Sequence, residues 1–338
     1  MRVFELGVGF GIEHLRPGRR DPRPPGPGEV RLRILAASLN YRDLLMVLGR
    51  YNPRQPLPLI PASDGVGRVL ETGPGVDGID VGDRVAPIFA QGWLDGDPDR
   101  ALRRTTLGGP LDGTLAEEIT LAASGVVPVP AHLTDEEAAT LPCAGLTAWN
   151  AVVGDEPVRA GETVLVLGTG GVSLFALQLA RLQGARVIVT SSSDDKLRRA
   201  TELGAWRTLN YVQRPDWGRE VRGLTGGRGV DRIVEVGGAA TLPQSLQAIR
   251  MGGRVVLIGS LTGGSLQLDF VPVFMQQVRL QGIFVGHRRG FEELNRAVEA
   301  HTLRPVIDRV FEFDDTPAAF AHLQSAGHFG KIAIRVTR

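Results

Sequence analysis

The chain has 338 residues, of which 43% are apolar and 22% charged, and its formal net charge at pH 7 is +1. This composition is ordinary for a globular protein, and the length leaves room for two domains. With no basic cluster and no apolar run near the roughly 20 residues of a membrane span, we expect no binding to nucleic acid or membrane.

The N-terminal half reads as short strands broken by glycine and proline. Residues 1–6 form a strand-like segment in place of a signal peptide, so we expect a cytoplasmic protein. Gly65 and Gly67 lie within a strand, which predicts a compact barrel with close backbone approaches. The irregular loop 89–113 either covers a cleft or is an insertion.

Two regions of this half contain helices. Residues 36–45 turn from a strand into a short helix, where Asn40 and Asp43 either cap the helix or face a cleft. Residues 133–152 read as one helix that begins with a capping signature, Thr134 to Glu137.

The stretch 163–180 reads as a buried strand, a glycine turn and a helix. Glycines at such a turn let the backbone approach a pyrophosphate, whose charge then lies on the free amides of the helix start. Ser173 stands where the third glycine of the full fingerprint would be. A dinucleotide site, a methyltransferase and a plain tight turn therefore all remain open at this point.

The following strand ends where a nicotinamide-binding fold reads the adenosine ribose. Serines occupy 191–193, and Lys196 follows closely. Hydroxyl groups and a cation suit a 2′-phosphate, whereas a carboxylate would suit the 2′-hydroxyl of NADH, so the sequence favours NADPH over NADH. The alternative is that the serines only cap the helix 194–203.

From residue 163 onward, strands and helices alternate. This alternation predicts an α/β fold with a doubly wound parallel sheet. The predicted strands are 164–167, 186–190, 208–210, 231–236, 254–258 and 279–285. A helix at 291–300, a strand at 306–311, a helix at 316–325 and a strand at 331–336 then return to the first domain.

The order of these signals resembles the medium-chain dehydrogenase/reductase superfamily. The resemblance is carried by the motifs at 40–43, 61–67, 81–85, 145–148, 168–172, 209–211 and 330–332. It implies a GroES-like catalytic domain over 1–124, a Rossmann dinucleotide-binding domain over 125–285 and a return to the catalytic domain over 286–338.

Members of the superfamily divide by zinc. Zinc alcohol dehydrogenases carry a cysteine where Asn40 stands and a His-Glu pair where this chain has Ser63 and Asp64, while their third ligand matches Cys143. Cys143 is the only cysteine, and a catalytic zinc needs three protein ligands. The chain therefore resembles the zinc-free quinone oxidoreductases, and we expect no zinc.

The resemblance also assigns residues to the site. It implies Asn40 and Tyr51 as catalytic residues, either of which could donate to the acceptor oxygen. The implied cofactor-binding residues are Thr147, Gly168, Gly170, Gly171, Val172, Ser191, Lys196, Tyr211, Gly237, Gly259 and Lys331. Lys331 is implied as a cation near the phosphates, and Gly237 and Gly259 end strands where a side chain would collide with the cofactor.

The predicted reaction is zinc-independent hydride transfer from NADPH to a quinone or an α,β-unsaturated carbonyl. One alternative is a zinc-type alcohol dehydrogenase with an unusual ligand set of Cys143 and Asp64. The other is a cofactor-binding sensor or structural protein without turnover. Whether Asp43, Asp64 or His287 takes part in catalysis stays open. We also expect a homodimer, because the strand 279–285 would form an apolar sheet edge.

Overall fold

The computed structural model describes residues 1–337, and the chain divides into two compact units. The first unit contains residues 1–146 and the chain from residue 285 onward, and the second contains residues 147–284. The segment 125–146, which we expected in the second domain, therefore lies in the first unit.

The first unit is built on a seven-stranded sheet and a separate two-stranded sheet. Its elements up to residue 146 are β1 (Arg2–Leu6), β2 (Leu15–Arg19), β3 (Glu29–Leu39), α1 (Tyr41–Val47), β4 (Asp64–Thr72), β5 (Arg84–Pro87), β6 (Glu118–Ala122), β7 (Val126–Pro128) and α2 (Asp135–Ala138). β7 pairs antiparallel with β5, which explains why the segment after residue 124 belongs to this unit.

The second unit is a six-stranded parallel sheet with helices between the strands. Its elements are α3 (Leu146–Val152, which starts at the division), β8 (Thr163–Leu167), α4 (Gly171–Leu182), β9 (Arg186–Ser191), α5 (Asp194–Glu202), β10 (Arg207–Asn210), α6 (Trp217–Leu224), β11 (Val230–Glu235), α7 (Leu242–Ala248), β12 (Ile249–Leu257), α8 (Val271–Met275) and β13 (Arg279–Gly282). The strand order is β10-β9-β8-β11-β12-β13, so the predicted doubly wound parallel sheet is confirmed.

The chain then returns to the first unit through α9 (Arg288–Ala300), β14 (Ile307–Glu312), α10 (Thr316–Gln324) and β15 (Lys331–Arg335). β15 pairs antiparallel with β3, and β14 pairs parallel with β15. The last strand of the chain is therefore an inner strand of the first sheet, and its side chains share the core of β3.

Each unit has its own apolar core. In the first unit, Leu32 and Ile34 of β3 are fully buried together with Ile334 of β15. In the second unit, Leu165 of β8 and Ile233 of β11 are fully buried in the same way. Alternating or continuous apolar runs in these strands predicted this burial, because strands covered on both faces need apolar side chains on both faces.

The close backbone approach expected in the barrel strand is present at Gly67 of β4. A Cβ on Gly67 would lie 2.7 Å from the Arg33 carbonyl oxygen of β3, which is closer than real Cβ contacts allow. Glycine is therefore required here by strand packing.

The helix predicted over 133–152 is interrupted. Thr134 and Glu137 form the expected capping box at the start of α2. A π-helical turn (Leu141–Gly145) containing Pro142 then separates α2 from α3. Proline lacks a backbone N–H and cannot continue the regular α-helical hydrogen bonds, which explains the break. Within residues 1–337, no helix is both long and apolar enough to cross a bilayer.

β13 lies at one edge of the parallel sheet. It ends at Gly282, earlier than the predicted residue 285, and Val285 adopts a positive φ of 51°. Phe270, Phe274 and Met275, on and before the preceding helix α8, are 66%, 63% and 65% exposed. An open strand edge beside exposed apolar side chains is typical of a surface that another chain covers.

We propose that a second copy of the chain covers this edge. Sedimentation at micromolar concentration should give twice the chain mass of 36.3 kDa. Phe274→Glu should shift the mass toward a single chain, because it places a charge in the apolar interface. Val212→Glu, at a side chain 63% exposed beyond the opposite edge strand β10, serves as the control and should leave the dimer intact. A wild-type mass of one chain would contradict the proposal.

Candidate active site

The glycine turn after β8 has the geometry of an anion-binding turn. Gly168 has a φ of 72°, and a Cβ placed on it would meet no atom of the described residues within 4 Å. Gly170 occupies the N-cap position of α4, and no side chain in the described part of the chain caps this helix. The N–H groups of its first turn, which includes Gly171 and Val172, can therefore bind a pyrophosphate. These residues fit a dinucleotide.

Ser173 explains why the third glycine of the fingerprint can be absent. Its side chain is buried, and its Oγ donates a hydrogen bond to the Leu167 carbonyl oxygen at 2.7 Å. The hydroxyl thus ties the first turn of α4 to the end of β8. Close packing of helix on strand, which the third glycine normally permits, is kept by a hydrogen bond instead.

The predicted ribose residues lie together beyond the ends of β9 and β10. Tyr211 donates through its backbone N–H to the Ser191 carbonyl oxygen at 3.1 Å. Ser191 is buried, and its Oγ accepts from the Ser193 N–H at 3.3 Å, which leaves its hydroxyl proton for another acceptor. Lys196 lies in the first turn of α5 and is partly buried. A hydroxyl, a cation and a tyrosine thus border one region.

Helix capping accounts for one of the three serines. Ser193 caps α5 by accepting from the Lys196 N–H at 3.4 Å. Asp194, which the sequence reasoning passed over, lies at the start of the same helix. Its two carboxylate oxygens accept from Asn210 Nδ2 at 2.7 Å and from Gln213 Nε2 at 2.9 Å. The signal for it was an acidic residue directly after the serines.

Gly237 and Gly259 are required by the protein itself. A Cβ on Gly237 would collide with the Thr241 side chain, and a Cβ on Gly259 would collide with the Val236 carbonyl oxygen. The resemblance explained both glycines by collision with the cofactor, and the structure supplies a nearer cause. Thr147, the first residue of the second unit, is buried in α3.

In the first unit, Lys331 makes two buried hydrogen bonds that the sequence did not predict. Its Nζ donates to the Leu39 carbonyl oxygen at 2.6 Å and to Asn40 Oδ1 at 2.5 Å, and only 3% of the residue is exposed. The register of β15 against β3, which pairs Ile332 with Leu39, produces this contact. The ammonium predicted to lie near the phosphates is thus engaged by two oxygens of its own unit.

Asn40 connects Lys331 to Ser63 and Asp64 through hydrogen bonds. Asn40 Nδ2 donates to Ser63 Oγ at 3.1 Å, and Ser63 Oγ donates to Asp64 Oδ1 at 3.0 Å. Asp64 Oδ2 accepts from the Cys143 N–H at 3.1 Å. The four residues that the resemblance matches to zinc-ligand positions are therefore hydrogen-bonded to one another, and through Asn40 to Lys331.

Asp43 and Arg42 complete the charge balance of this buried cluster. Asp43 is fully buried; its Oδ2 accepts from the Asn40 N–H at 2.9 Å, and its Oδ1 accepts from Arg42 Nη1 at 3.1 Å. Asp43 thus caps α1, one of the two roles left open. The cluster contains two carboxylates, Asp43 and Asp64, and two basic side chains, Arg42 and Lys331.

Burial sets the protonation tendencies of the cluster. It raises the pKa of Asp64 to about 6, although the Lys331 ammonium and the Asn40 amide act to lower it. Burial likewise raises the pKa of the Cys143 thiol far above its usual range, and the nearby Asp64 adds to this. It also lowers the pKa of Lys331.

These residues do not fit a catalytic zinc. Among residues 1–337, no three His, Cys, Asp or Glu side chains come together in an arrangement that could hold a metal ion. Asp64 and Cys143 offer two ligands of the required type, and Asn40 Oδ1 already accepts from the Lys331 ammonium. A zinc site needs three protein ligands, deprotonated where they are thiols.

Arg42 connects the cluster to Tyr51 and to the loop 89–113. Its guanidinium lies 4.9 Å from the centre of the Tyr51 ring and donates to the carbonyl oxygens of Leu107, Gly108 and Gly109. Tyr51 itself is 45% exposed. The loop is packed into the first unit, since Leu107 is fully buried. Arg42 was missed by the sequence reasoning, although it stands inside the motif 40–43.

His287 has a structural role. Its Nδ1 accepts from the Gly290 N–H at 2.9 Å, which caps α9, and its ring packs edge-on against Trp93 with the ring centres 5.7 Å apart. These contacts cap α9 and fix the orientation of the His287 ring against Trp93.

Comparison with known proteins places the two units in a class. A family model described as an alcohol dehydrogenase GroES-like domain matches residues 26–131, and one described as a zinc-binding dehydrogenase matches residues 171–300. A zinc-type alcohol dehydrogenase-like protein of Schizosaccharomyces pombe is 40% identical over 333 residues, which cover 96% of each protein. An acryloyl-coenzyme A reductase of Metallosphaera sedula is 30% identical over 329 residues, which cover 93% of this chain and 94% of the reductase. A crystal structure of an NAD-dependent alcohol dehydrogenase has a TM-score of 0.91 at 37% identity, with all of both chains covered.

A GroES-like domain combined with a Rossmann domain defines a class of dehydrogenases and reductases. The chain belongs to the medium-chain dehydrogenase/reductase superfamily and is an oxidoreductase of that superfamily. The predicted superfamily and fold class are thereby confirmed. Proteins of this superfamily bind NAD or NADP, since one related structure is named an NAD-dependent alcohol dehydrogenase and another is a complex with NADP.

The raised pKa of Asp64 predicts a specific dependence of stability on pH. A carboxyl group whose folded pKa lies near 6, above its ordinary 3.8, contributes stability at low pH that is lost as the pH rises through about 6. The full effect is about 3 kcal/mol for a shift of this size. The unfolding free energy of Asp64→Asn minus that of wild type should therefore increase by about 2 kcal/mol from pH 4.5 to pH 7.5, as measured by urea unfolding.

Asp231→Asn is the control with the opposite sign. Burial opposes ionisation of Asp231, but hydrogen bonds from Arg228, Thr163 and Arg250 hold its pKa at about 2. Its contribution is complete above pH 4 or so and is lost only as the pH falls toward 2. The difference in unfolding free energy between Asp231→Asn and wild type should stay constant from pH 5 to 7.5. A constant difference for Asp64→Asn as well would show that burial does not shift Asp64.

Proposed function

We propose that this protein transfers a hydride from NADPH to a quinone or an α,β-unsaturated carbonyl and needs no zinc. The observation that carries the proposal is the buried cluster of the first unit. Where zinc-dependent relatives are expected to bind the metal, the chain has an amide, a hydroxyl and a carboxylate bonded to each other and to a buried ammonium. Such a cluster is complete without a metal ion.

The lack of a zinc ligand set favours a conjugated acceptor. Oxidation of a simple alcohol passes through a full negative charge on one oxygen, which zinc stabilises as a Lewis acid. In a quinone or enone, the negative charge that arrives with the hydride spreads onto a conjugated oxygen. Hydrogen-bond donors can then stabilise it. The relative named acryloyl-coenzyme A reductase supports this choice, because an acryloyl group is a conjugated acceptor.

The donor is better supplied by Tyr51 than by Asn40. Both ends of the Asn40 amide are engaged within the protein, Oδ1 by Lys331 and Nδ2 by Ser63. Tyr51 is 45% exposed, and the Arg42 guanidinium over its ring restricts its orientation. We therefore assign hydrogen-bond donation to the Tyr51 hydroxyl, while Asn40 holds the cluster together. A proton from solvent completes the reduction.

The second unit supplies the cofactor residues. NADPH, when bound, supplies the hydride, and the open turn at Gly168 with the uncapped start of α4 suits its pyrophosphate. The hydroxyl of Ser191 and the cation of Lys196 suit its 2′-phosphate. The related alcohol dehydrogenase of known structure is named NAD-dependent, so the cofactor assignment depends on these two residues.

The reaction can be tested on protein freed of metal by a chelator. Such protein should still oxidise NADPH with a small quinone, because none of the assigned groups is a metal ligand. Tyr51→Phe removes only a hydroxyl and should lower kcat by about 100- to 1,000-fold, the usual effect of losing one donor to a developing oxyanion. Tyr41→Phe is the matched control at a tyrosine of similar exposure, 40%, and should leave kcat unchanged.

Three results would change the assignment. Loss of all activity on metal removal, with stoichiometric zinc in the active protein, would favour a zinc-type alcohol dehydrogenase with Cys143 and Asp64 as ligands. NADPH binding without oxidation by quinones, enones or aldehydes would indicate a sensor or structural protein. Equal loss of activity in both tyrosine variants would remove Tyr51 from its assigned role.

The cofactor choice can be reversed by a single substitution. A charge-assisted hydrogen bond is worth about 1.5–3 kcal/mol, so wild type should prefer NADPH over NADH by about 10- to 100-fold in kcat/KM. Ser191→Asp should invert this ratio, because its carboxylate repels a 2′-phosphate and accepts from the ribose hydroxyls of NADH. Lys196→Gln should reduce the ratio without inverting it. A wild type that prefers NADH would overturn the assignment of NADPH.

A further inference from the structure

A fully buried carboxylate ends strand β11. Glu235 has no exposed surface, and Ile233 and Val234 before it are also fully buried. A charge in such a place is strongly unfavourable unless hydrogen bonds replace the lost water. The acidic residue in an apolar run was the signal in the sequence, and the sequence reasoning did not use it.

Neutral donors from the following loop and from α7 satisfy this carboxylate. Oε1 accepts from the N–H groups of Gly237 at 2.9 Å and Gly238 at 3.1 Å, and from Thr241 Oγ1 at 2.6 Å. Oε2 accepts from Ser245 Oγ at 2.5 Å. The loop between β11 and α7 is therefore folded around the Glu235 side chain, and its conformation depends on that side chain.

Hydrogen bonds connect the loop after β12 to the loop after β11. The Gly237 carbonyl oxygen accepts from the Thr262 N–H at 2.8 Å and from Thr262 Oγ1 at 2.9 Å. Thr262 Oγ1 accepts in turn from the Ala240 N–H at 3.0 Å, and the Ala239 N–H donates to the Gly263 carbonyl oxygen at 3.0 Å. The loops after β11 and β12 thus form one hydrogen-bonded body, and the hydrogen bonds of Glu235 to the first loop anchor it.

The strand order shows which part of a dinucleotide would meet this body. The pyrophosphate turn follows β8, and the predicted ribose residues follow β9 and β10 on one side of it. β11 and β12 lie on the other side, with β11 paired directly to β8. Ligands of open α/β sheets bind along the carboxyl ends of the strands, so a dinucleotide whose adenosine lies over β9 extends its nicotinamide half over β11 and β12.

We propose that Glu235 is a positioning residue for the nicotinamide half of the cofactor. Through Gly237 and Thr241 it fixes the loop after β11, and through Thr262 it fixes the loop after β12. The two loops are then held in one arrangement before the ligand arrives, so binding does not have to order them. This inference rests on the proposed function, because it requires that the second unit binds a nicotinamide dinucleotide.

The test compares two ligands that share the adenosine end. NADPH covers the whole site, whereas 2′,5′-ADP lacks the nicotinamide half. Glu235→Gln replaces one of the two acceptor oxygens by an NH2 group, although both oxygens accept hydrogen bonds in wild type, and Thr241→Val removes one donor from the carboxylate. Each substitution should raise the dissociation constant of NADPH about tenfold, which corresponds to the loss of about 1.4 kcal/mol of binding free energy. Neither should change the dissociation constant of 2′,5′-ADP, measured by calorimetry.

Asp231→Asn is the control for a merely structural effect. Asp231 is a buried carboxylate near the opposite end of the same strand, where it accepts from the Thr163 N–H and pairs with Arg228 and Arg250. Its replacement should lower the melting temperature and leave both dissociation constants unchanged at a temperature well below the transition.

The outcomes separate the inference from the function on which it rests. Suppose that wild type binds NADPH. The positioning role is overturned if Glu235→Gln and Thr241→Val raise the dissociation constants of NADPH and 2′,5′-ADP equally, or if they change neither constant. If wild type prefers NADH, the same comparison runs with NADH and ADP-ribose, and only the assignment of NADPH fails. If wild type binds none of these ligands, the proposed function and the inference fail together.

Discussion

The first unit depends on keeping charges inside it without water. Lys331 is carried into the core by the pairing of β15 with β3, where its ammonium meets the Leu39 carbonyl oxygen and the Asn40 amide. A buried ammonium is tolerated only where oxygens replace its hydration and opposite charges lie nearby. Asp43 and Asp64 supply the opposite charges, and this requirement ties the end of the chain to the motif that begins at Asn40.

The second unit meets the same constraint by another route. The Glu235 carboxylate is satisfied by backbone N–H groups and the Thr241 hydroxyl of one loop and by the Ser245 hydroxyl of α7, and no long basic side chain has to reach it. Neutral donors of this kind shape the backbone around the charge. A cation would have paired with the carboxylate and left the loop free. In both units the buried polar groups therefore define a local conformation of the backbone.

Superfamily and site give different kinds of information about this protein. The matches and the fold establish a dehydrogenase or reductase, and one of the two family models and the Schizosaccharomyces pombe relative carry zinc in their names. At the positions that the resemblance matches to zinc ligands, the side chains of Asn40, Ser63 and Asp64 are hydrogen-bonded in sequence, and Asp64 also accepts from the backbone N–H of Cys143. Because one fold supports several chemistries, the reaction has to be argued from these side chains.

The sequence by itself determined the features that depend on neighbours in the chain. It predicted the six strands of the parallel sheet and the turn at Gly168, because hydrophobic periodicity and backbone conformation are local properties. It also gave the superfamily, through motifs of a few residues each. Tertiary structure alone decided the partner of Lys331, which is bonded to a residue 291 positions away. Strand register selects such a partner, and register emerges only when the whole sheet is assembled, so no local pattern could have shown it.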